Sequence, residues 1–540
     1  MAAKYVLALD EGSSSARAVL VDTDGQIVSE SSAPITASYP RPFWVELDPA
    51  MLWDAARTSM HGAMAKAGAT SADIAAVGIT THRESCLIWN RETGLPIYNA
   101  IMWMSKQTDD IVSQWSLDGM DDDIRRLTGV RNDSYFSAGK LAWILDQVPG
   151  ARMDAEAGKL AAGTVDTWLL WNLTGGKSHA TDPSSASRTA MYNIRELRWD
   201  EDLCARYGIP MKLLPEVLLS NSHFGYVESS LLVGTGSSPI PITAILADQQ
   251  AGLFGQACFE VGSAKNTYGT AGVLTVNVGE QPRIIPGMSS SIAWQVADKA
   301  VYEVEGVVFH CGQTLQWLRD KLHIIDSVAH SANAAAALSD NGGVYFVPAF
   351  AGLCDPYWDR DVRAAIIGLT LDTGAEHIVR AGLEAMAYQT RDNVLALERG
   401  GLPIPSLRVD GGAISNDFLC QFQADLLGIP VERPRELERT ALGVAQLAGI
   451  GVGMWSGQSD LSDAWHAEKI FEPKISLDHR EELYSGWQDA VAAARSIAPA
   501  RTSRVAKLIA APSPAAECRT EVPSAAEPVS AVATELVAHR

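Results

Sequence analysis

Residues 5–29 read YVLALDEGSSSARAVLVDTDGQIVS and alternate between apolar runs and short polar turns. The run from Tyr5 to Leu9 predicts a buried strand, and Glu11 to Ser15 form a turn into a second strand. Asp24-Gly25 predicts a hairpin into a third strand over residues 26–29. Rossmann and P-loop domains open instead with a strand that leads into a helix. The start of the chain therefore predicts a different α/β fold.

The same pattern returns about 250 residues later, where residues 264–276 read AKNTYGTAGVLTV. Two strand–turn–strand units predict a duplicated architecture, with one phosphate-facing hairpin in each half. Helices are predicted from Asp48-Pro49 to about Lys66, over residues 248–256 and over residues 377–397. Helices that alternate with short apolar strands indicate the α/β class.

Length and composition limit the organisation and the partners. The chain of 540 residues has a net charge of −21, which disfavours nucleic acid and anionic membrane surfaces as partners. No apolar stretch predicts an export signal or a membrane span. The seven scattered cysteines form no C-x-x-C pair and predict neither disulfides nor zinc, so we expect a cytoplasmic protein. We predict domains over residues 1–259 and 260–500, then a disordered Ala/Pro-rich tail over 501–540.

The turn after the first strand has the composition of a phosphate site. Gly12 allows close backbone approach, and the hydroxyls of Ser13, Ser14 and Ser15 can donate to phosphate oxygens. Arg17 adds a planar fork of donors that suits a phosphoryl group. Asp10 would repel phosphates, so we predict that it holds Mg²⁺. The alternative is an ordinary hairpin in which Asp10 caps backbone amides.

Two further glycine turns extend this prediction to a nucleotide. Gly269 and Thr270, in the matching hairpin, can present an amide and a hydroxyl to phosphate. In residues 408–416, RVDGGAISN, Gly412 permits a flat base to stack on backbone. Asn416 then either bonds the base or caps the following helix, and both readings stay open.

A second group of residues suits a polyol. Arg83 can donate hydrogen bonds to hydroxyl oxygens, and Glu84 can accept hydrogen bonds from hydroxyl groups. The alternative is that the two residues form a surface ion pair. Asp248 is either a helix N-cap or a general base for a hydroxyl. Trp103 and Tyr135 could cover the carbon face of a small polyol, or could belong to the core. His82 is interpreted as packed or solvated rather than as a base.

Taken together, these motifs resemble the FGGY carbohydrate kinase family, from about residue 4 to residue 487. Matching stretches include residues 44–49, 89–100, 163–168, 186–189, 248–255 and 264–270, and the two family signatures at 135–147 and 364–384. The resemblance implies two actin-like (ribonuclease H-like) ATPase domains that flank an ATP/substrate cleft. It also implies Mg-ATP as cofactor, a homo-oligomer (dimer or tetramer), and phosphorylation of glycerol to sn-glycerol 3-phosphate.

The resemblance implies a role for each matching residue. Asp10 would organise Mg²⁺, Asp248 would be the base, and the others would bind the polyol or the nucleotide. The polyol residues implied are Arg83, Glu84, Trp103, Tyr135, Asp248 and Gln249. The phosphate and ADP residues implied are Ser13, Ser14, Arg17, Thr270, Gly312, Gln316, Gly412 and Asn416.

The chain also departs from the family pattern. Val273 stands where the glycerol-phosphorylating members have Phe, and residues 104–107 read MSKQ after Trp103. A smaller side chain at 273 could admit a longer substrate. The alternative hypothesis is therefore a kinase for a four- or five-carbon polyol or ketose such as erythritol, threitol, xylitol or xylulose. A third hypothesis is a non-catalytic actin-like nucleotide sensor, which would not need Arg83, Glu84 and Asp248.

Overall fold

The computed structural model describes residues 3–234 and 239–509, and it contains two large sheets with helices around them. The strands of the first half are β1 Tyr5–Glu11, β2 Ser15–Asp22, β3 Ile27–Pro34, β4 Glu46–Leu47, β5 Ile74–Thr81, β6 Cys86–Asn90, β7 Ala100–Ile101, β8 Leu160–Thr164, β9 Ala180–Thr181, β10 Tyr192–Asn193, β11 Arg198–Trp199, β12 Glu216–Val217, β13 Gly225–Tyr226 and β14 Pro241–Ala247. Its helices are α1 Pro49–Ala67, α2 Asp109–Leu117, α3 Asp121–Thr128, α4 Ser137–Gln147, α5 Ala151–Glu156, α6 Val165–Leu173, α7 Pro183–Ala186, α8 Glu201–Tyr207 and α9 Asp248–Gly255.

The second half begins with the matching hairpin. Its strands are β15 Ala264–Tyr268, β16 Gly272–Gly279, β17 Ser289–Val296, β18 Lys299–Val308, β19 Tyr345–Val347, β20 Ala365–Ile367, β21 Leu407–Asp410, β22 Val431–Pro434 and β23 Ala467–Phe471. Its helices are α10 Gly312–Asp320, α11 His330–Ala336, α12 Ala375–Arg399, α13 Asp417–Leu427, α14 Arg439–Gly451, α15 Gln458–Ala464 and α16 Leu477–Ile509. Short 3₁₀ turns occupy Ser71–Asp73, Met211–Leu213, Ser229–Leu231 and Gly412–Ser415.

The two sheets share a central arrangement of strands, which agrees with the predicted duplication, although the outer antiparallel strands are connected differently. The first sheet has the order β13-β14-β5-β1-β2-β3, and the second has the order β17-β18-β16-β15-β21-β22-β23. In each sheet a hairpin pairs antiparallel, and its first strand pairs on the other side with a parallel strand. The next strand outward is parallel as well. The carboxyl ends of three parallel strands therefore meet at one edge in each half.

The predicted local elements agree with the structure. Asp48 caps α1 by accepting a hydrogen bond from the Ala50 amide, and Pro49 occupies the first turn, as the sequence predicts. The helices predicted over 248–256 and 377–397 are α9 and the central part of α12. The described residues contain no helix long and apolar enough to cross a membrane. All six cysteines in the described ranges are free and buried.

One helix of the second half packs against the first sheet. Apolar residues of α14 share a core with the strands β1, β2, β5 and β14. The helix crosses α9 so closely that a Cβ on Gly443 would overlap the carbonyl oxygen of Ala251. A Cβ on Gly255 would likewise overlap the carbonyl oxygen of Arg439. Glycine at both positions therefore lets α14 join the two halves.

The last helix continues past the predicted start of the tail. It runs from Leu477 to Ile509, so residues 501–509 are helical rather than part of an extended tail. The predicted disorder of residues 510–540 concerns residues outside the described ranges. The domain boundaries at residues 259 and 500 stay predictions.

Candidate active site between the two halves

The strand register of the first sheet brings the predicted polyol residues to one edge. Asp10 pairs with Thr80 on the neighbouring parallel strand, and Thr80 pairs with Leu246 on the next. The three strands therefore end side by side. Arg83 and Glu84 follow β5, and Asp248 follows β14, so all lie at the carboxyl edge where α/β sheets bind ligands.

Arg83 is the centre of this group. Its Nε lies 3.2 Å from Asp248 Oδ1 and 3.8 Å from Glu84 Oε1. Its Nη1 lies 2.5 Å from Oε2 of Glu305, which belongs to the second half. The Arg83 and Glu84 side chains are buried, whereas Asp248 keeps 24% of its side chain exposed. The structure thus excludes a surface ion pair for Arg83 and Glu84.

The group also contains three buried ionisable residues that were not predicted from the sequence, Arg188, Glu303 and Glu305. Arg188 Nε donates to Glu84 Oε1 at 2.7 Å, and its Nη2 donates to Glu305 Oε1 at 2.8 Å. Glu303 accepts from Ser291 Oγ at 2.8 Å and from Gln250 Nε2 at 2.9 Å. The sequence did contain a sign of the two glutamates. They lie two residues apart on β18 and therefore on the same face of a largely apolar strand.

The electrostatics follow from this crowding of buried charges. Burial would lower the pKa of Arg83, but Glu305, Glu84 and Asp248 outweigh it and hold that pKa well above its usual value. Burial, with Glu305 beside it, raises the pKa of Glu303 to about 7. Burial acts on Glu305 too, but Arg188 and Arg83 keep its pKa low. Glu305 is therefore the anion that balances the two arginines across the halves.

Asp248 begins helix α9 but is not its N-cap, a position that Ala247 holds. Its Oδ1 accepts from the Gln249 amide at 2.7 Å and faces Arg83. Both contacts fall on the same oxygen, which leaves Oδ2 for another partner. The Gln249 side chain accepts from Lys265 Nζ at 2.6 Å, so this glutamine is held by a residue of the second half.

An aromatic surface lies beside the charged group. The ring centroid of Tyr135 is 5.6 Å from that of Trp103 and 6.4 Å from that of Phe309. The Trp103 Nε1 donates to Ser13 Oγ at 2.9 Å, which connects this surface to the first phosphate turn. Val273 is buried and packs with Phe309 and Trp358 among others. Aromatic rings therefore pack against Val273.

The first phosphate turn is a tight hairpin. The Gly12 amide donates to the Ser15 carbonyl at 2.9 Å, and Arg17 forms an ion pair with Glu438. Burial raises the pKa of Asp10 to about 7, with Asp248 and Glu438 adding to the effect and Arg17 opposing it. Asp10 and Asp248 are thus close enough to repel each other. A cation between the edge and a nucleotide would relieve this repulsion.

His82 is packed, one of the two readings offered by the sequence. It is buried, its Nδ1 lies 3.0 Å from the Glu11 carbonyl oxygen, and burial lowers its pKa. Glu11 beside it is also buried, and its Oε1 has no hydrogen-bond partner in the described part of the chain. Burial and the nearby Asp10 raise the pKa of Glu11, which shifts this carboxyl group toward its neutral form.

The second sheet gathers the predicted nucleotide residues in the same way. The Cys311 amide donates to the Thr270 carbonyl at 3.0 Å, and the Gly312 amide donates to the Gly269 carbonyl at 2.9 Å. Gly411 has a φ of 91°, and a Cβ there would lie 2.7 Å from the Tyr268 carbonyl oxygen. This close approach places the turn that holds Gly412 against the end of β15.

The remaining nucleotide residues lie around this edge. Gln316 is exposed on α10, about one turn after Gly312. Gly412 faces open space, with no atom within 4 Å of a Cβ built there. Asn416 accepts from the Leu419 amide at 3.3 Å and is the N-cap of α13, the second of its two readings.

Comparison with known proteins identifies the family. Residues 5–255 match the N-terminal domain of the FGGY family of carbohydrate kinases, and residues 264–452 match its C-terminal domain. This chain is an FGGY carbohydrate kinase. A glycerol kinase of Carboxydothermus hydrogenoformans is 48% identical over 92% of this chain and 99% of its own length. One of Symbiobacterium thermophilum is 47% identical, over 91% of this chain and 98% of its own.

Solved structures of the family share the fold. Plasmodium falciparum glycerol kinase with ADP superposes with a TM-score of 0.83 and 33% identity, covering 91% of this FGGY kinase and 98% of that chain. Xylulose kinase of Lactobacillus acidophilus gives a TM-score of 0.80 at 22% identity, covering 91% and 99%. The expected two-domain actin-like architecture is thereby confirmed. The buried charges lie between its two halves.

Proposed function

We propose that this FGGY kinase transfers the terminal phosphoryl group of ATP to glycerol and forms sn-glycerol 3-phosphate. The observation that carries the proposal is the convergence of Asp248, Arg83 and Glu84 beside the first phosphate turn. Its nearly full-length relatives named glycerol kinase support the same substrate. A sensor that only binds nucleotide would have no use for a buried group of this kind, so we favour an enzyme.

The proposed chemistry follows from the contacts. Arg83 donates a hydrogen bond to a hydroxyl oxygen of the polyol, and Glu84 accepts a hydrogen bond from a hydroxyl group. Together these two bonds orient the diol. Asp248 takes the proton of the attacking hydroxyl on its Oδ2, because Oδ1 is occupied. The attacking oxygen then bonds to the γ-phosphorus as the bond to the ADP oxygen breaks. Phosphoryl transfer needs little more than such positioning and charge stabilisation.

Asp10 is the residue that we propose for Mg²⁺. No cluster of three or more candidate ligands occurs within the described ranges, so the protein would not hold the ion alone. One carboxylate together with nucleotide phosphates and water is a usual environment for Mg²⁺. Burial and neighbouring carboxylates raise the pKa of Asp10. A cation bound there would lower that pKa again and favour the ionised form of Asp10. Bound there, the ion would neutralise charge on the phosphates.

The aromatic surface supports a small polyol. Trp103, Tyr135 and Phe309 lie together, and Val273 is enclosed by apolar neighbours rather than by open space. These contacts support glycerol over a four- or five-carbon substrate. The cytoplasmic location and the homo-oligomeric state stay predictions.

Two assays test the proposal. The first compares kcat/KM for glycerol, erythritol, threitol, xylitol and xylulose, and we expect glycerol to be preferred. A set in which glycerol ranks last would remove it as the substrate. The second compares Asp248→Asn with the control Asp110→Asn on helix α2. Asp248→Asn should lower kcat by at least about 10²-fold while ADP binding is retained. Full activity of that variant would exclude Asp248 as the base.

A further inference from the structure

A second cavity lies between the two halves, apart from the residues described above. Its volume is about 400 Å³. The first half contributes α2, α3 and the loop that follows them, and the second half contributes the loop after β19. The polar and aromatic lining that matters consists of Arg125, Arg131, Asn132, Asp133, Trp358 and Arg360.

The three arginines of this cavity differ in how they are paired. Arg360 forms ion pairs with Asp133 and Asp109. Arg131 has no hydrogen bond or ion pair with any residue in the described ranges, and its guanidinium lies 5.1 Å from the centroid of the Trp358 ring. The buried Asp355 is near enough for Arg131 to lower its pKa, but burial raises that pKa to about 7, and no ion pair joins the two among the described residues. The charge of Arg131 is therefore only partly balanced.

Arg125 is only half satisfied. Its Nη2 donates to the carbonyl oxygens of Ile285 at 2.8 Å and Met288 at 3.1 Å. Its Nη1 is buried and has no partner among the described residues. Burial lowers the pKa of Arg125, the nearby Arg131 lowers it further, and Asp355 opposes the effect without cancelling it. Two guanidinium groups thus repel each other in a partly buried space, which an anion would reverse.

Carboxylates at the rim do not supply that anion. The Asp121 carboxylate accepts from Ser116 Oγ at 2.9 Å and from Asn132 Nδ2 at 2.8 Å. Asp122 is exposed. Neither is among the groups that act on the charge of Arg125, and neither forms an ion pair with Arg125 or Arg131 in the part of the chain that the structure describes.

Asn132 adds an acceptor of fixed orientation. Its Nδ2 donates to the Val112 carbonyl at 2.8 Å as well as to Asp121, and only the NH₂ end of the amide can satisfy both acceptors. The Oδ1 therefore points elsewhere, and it is buried without a hydrogen-bond partner among the residues described. A hydroxyl group is a donor that would satisfy it.

We propose that this cavity binds a small hydroxylated phosphomonoester. The phosphate would lie between Arg125 and Arg131, whose planar forks match its oxygens, and a hydroxyl would donate to Asn132 Oδ1. The volume is within the range of small-molecule sites. Because Trp358 and Arg360 come from the second half, such a ligand would contact both halves of the kinase.

Calorimetric titration of the full-length protein tests the site, with glycerol 2-phosphate as the probe. ADP is kept saturating so that the phosphate turns of the nucleotide site are filled, and the ionic strength is held constant with chloride. We expect one site per chain. Arg131→Met should weaken binding at least about tenfold, the loss typical of a hydrogen bond to a charged group. Arg131→Gln serves as a second variant, and melting curves verify that both fold.

Arg126→Met is the control, since Arg126 is exposed on α3, the helix that carries Arg125, and pairs with Asp123. It should bind the probe as the unmodified protein does. Absence of binding in the presence of ADP would overturn the proposal, and so would equal losses in the Arg131 and Arg126 variants. Competition by neutral glycerol would place the probe in the polyol site instead. Citrate that binds more tightly than glycerol 2-phosphate would exclude a phosphomonoester as the ligand class.

Discussion

Glu305→Gln removes the anion that holds the two arginines of the active site. In the folded protein Glu305 forms an ion pair with Arg83 at 2.5 Å and accepts from Arg188 at 2.8 Å, and its side chain is fully buried. Glutamine has nearly the same shape but no charge. The variant would therefore leave two buried guanidinium groups with Glu84 and the partly exposed Asp248 as their remaining anions.

The expected loss of stability is large. Removing one partner of a buried ion pair typically lowers the free energy of unfolding by about 3–5 kcal/mol. The exposed pair of Glu280 and Lys299, at 2.8 Å, provides the control variant Glu280→Gln. That substitution should lower the free energy of unfolding by less than about 1 kcal/mol. Glu305→Gln should also raise the KM for glycerol, because Arg83 loses the partner that orients it.

The loss should depend on pH through Glu303. Its folded pKa is raised to about 7 from 4.5, so its contribution to stability is present below pH 4.5 and is lost as the pH rises through 7. Part of that rise comes from Glu305, which the variant neutralises. Glu303 then ionises more readily and partly replaces the missing charge. The destabilisation should therefore be smaller at pH 8.5 than at pH 5.5, by roughly 1 kcal/mol.

Urea unfolding at the two pH values, followed by tryptophan fluorescence, measures both effects. Steady-state kinetics with glycerol measure the expected rise in KM. If Glu305→Gln is no more destabilising than Glu280→Gln at either pH, the buried charges do not hold the halves together as argued. A destabilisation that grows with pH would show that Glu303 does not respond to Glu305.

Two further substitutions test single contacts. Lys265→Met removes the 2.6 Å hydrogen bond to Gln249, so the KM for glycerol should rise about tenfold while the KM for ATP is unchanged; an equal rise in both would indicate a general structural effect. Glu438→Gln frees Arg17 from its ion pair, so the KM for ATP should fall roughly two- to fivefold, the equivalent of an exposed ion pair; an unchanged KM would mean that Arg17 does not bind phosphate.

Much of the fold was predictable because its signals are local. The apolar run before Asp10 and the turn at Gly12 predict a hairpin from neighbouring residues alone, and the structure has it. The helix that begins at Pro49 is likewise set by its cap and its first residue. The position of α14 was not predictable, since its packing against α9 depends on residues about 190 positions away and the strands it covers are further away still.

The same distinction between local and tertiary signals applies to the residues of the candidate site. Arg83, Glu84 and Asp248 were singled out from the sequence by their chemistry, and the structure shows that they meet at one edge because they follow the parallel strands β5 and β14. Glu303 and Glu305 belong to a strand of the other half, and no local pattern indicates which arginines they face.

The sequence by itself determined the hairpin turns, the α/β class and the polar residues that follow the strands, because these depend on backbone propensity and short-range periodicity. Only the tertiary structure decided which charges neutralise one another, that Arg188 and Glu305 complete the site, and that Arg131 forms no ion pair with a carboxylate of the described residues. The physical reason is that the strength of a charge–charge interaction depends on distance in space and on burial, and both arise when the two halves come together.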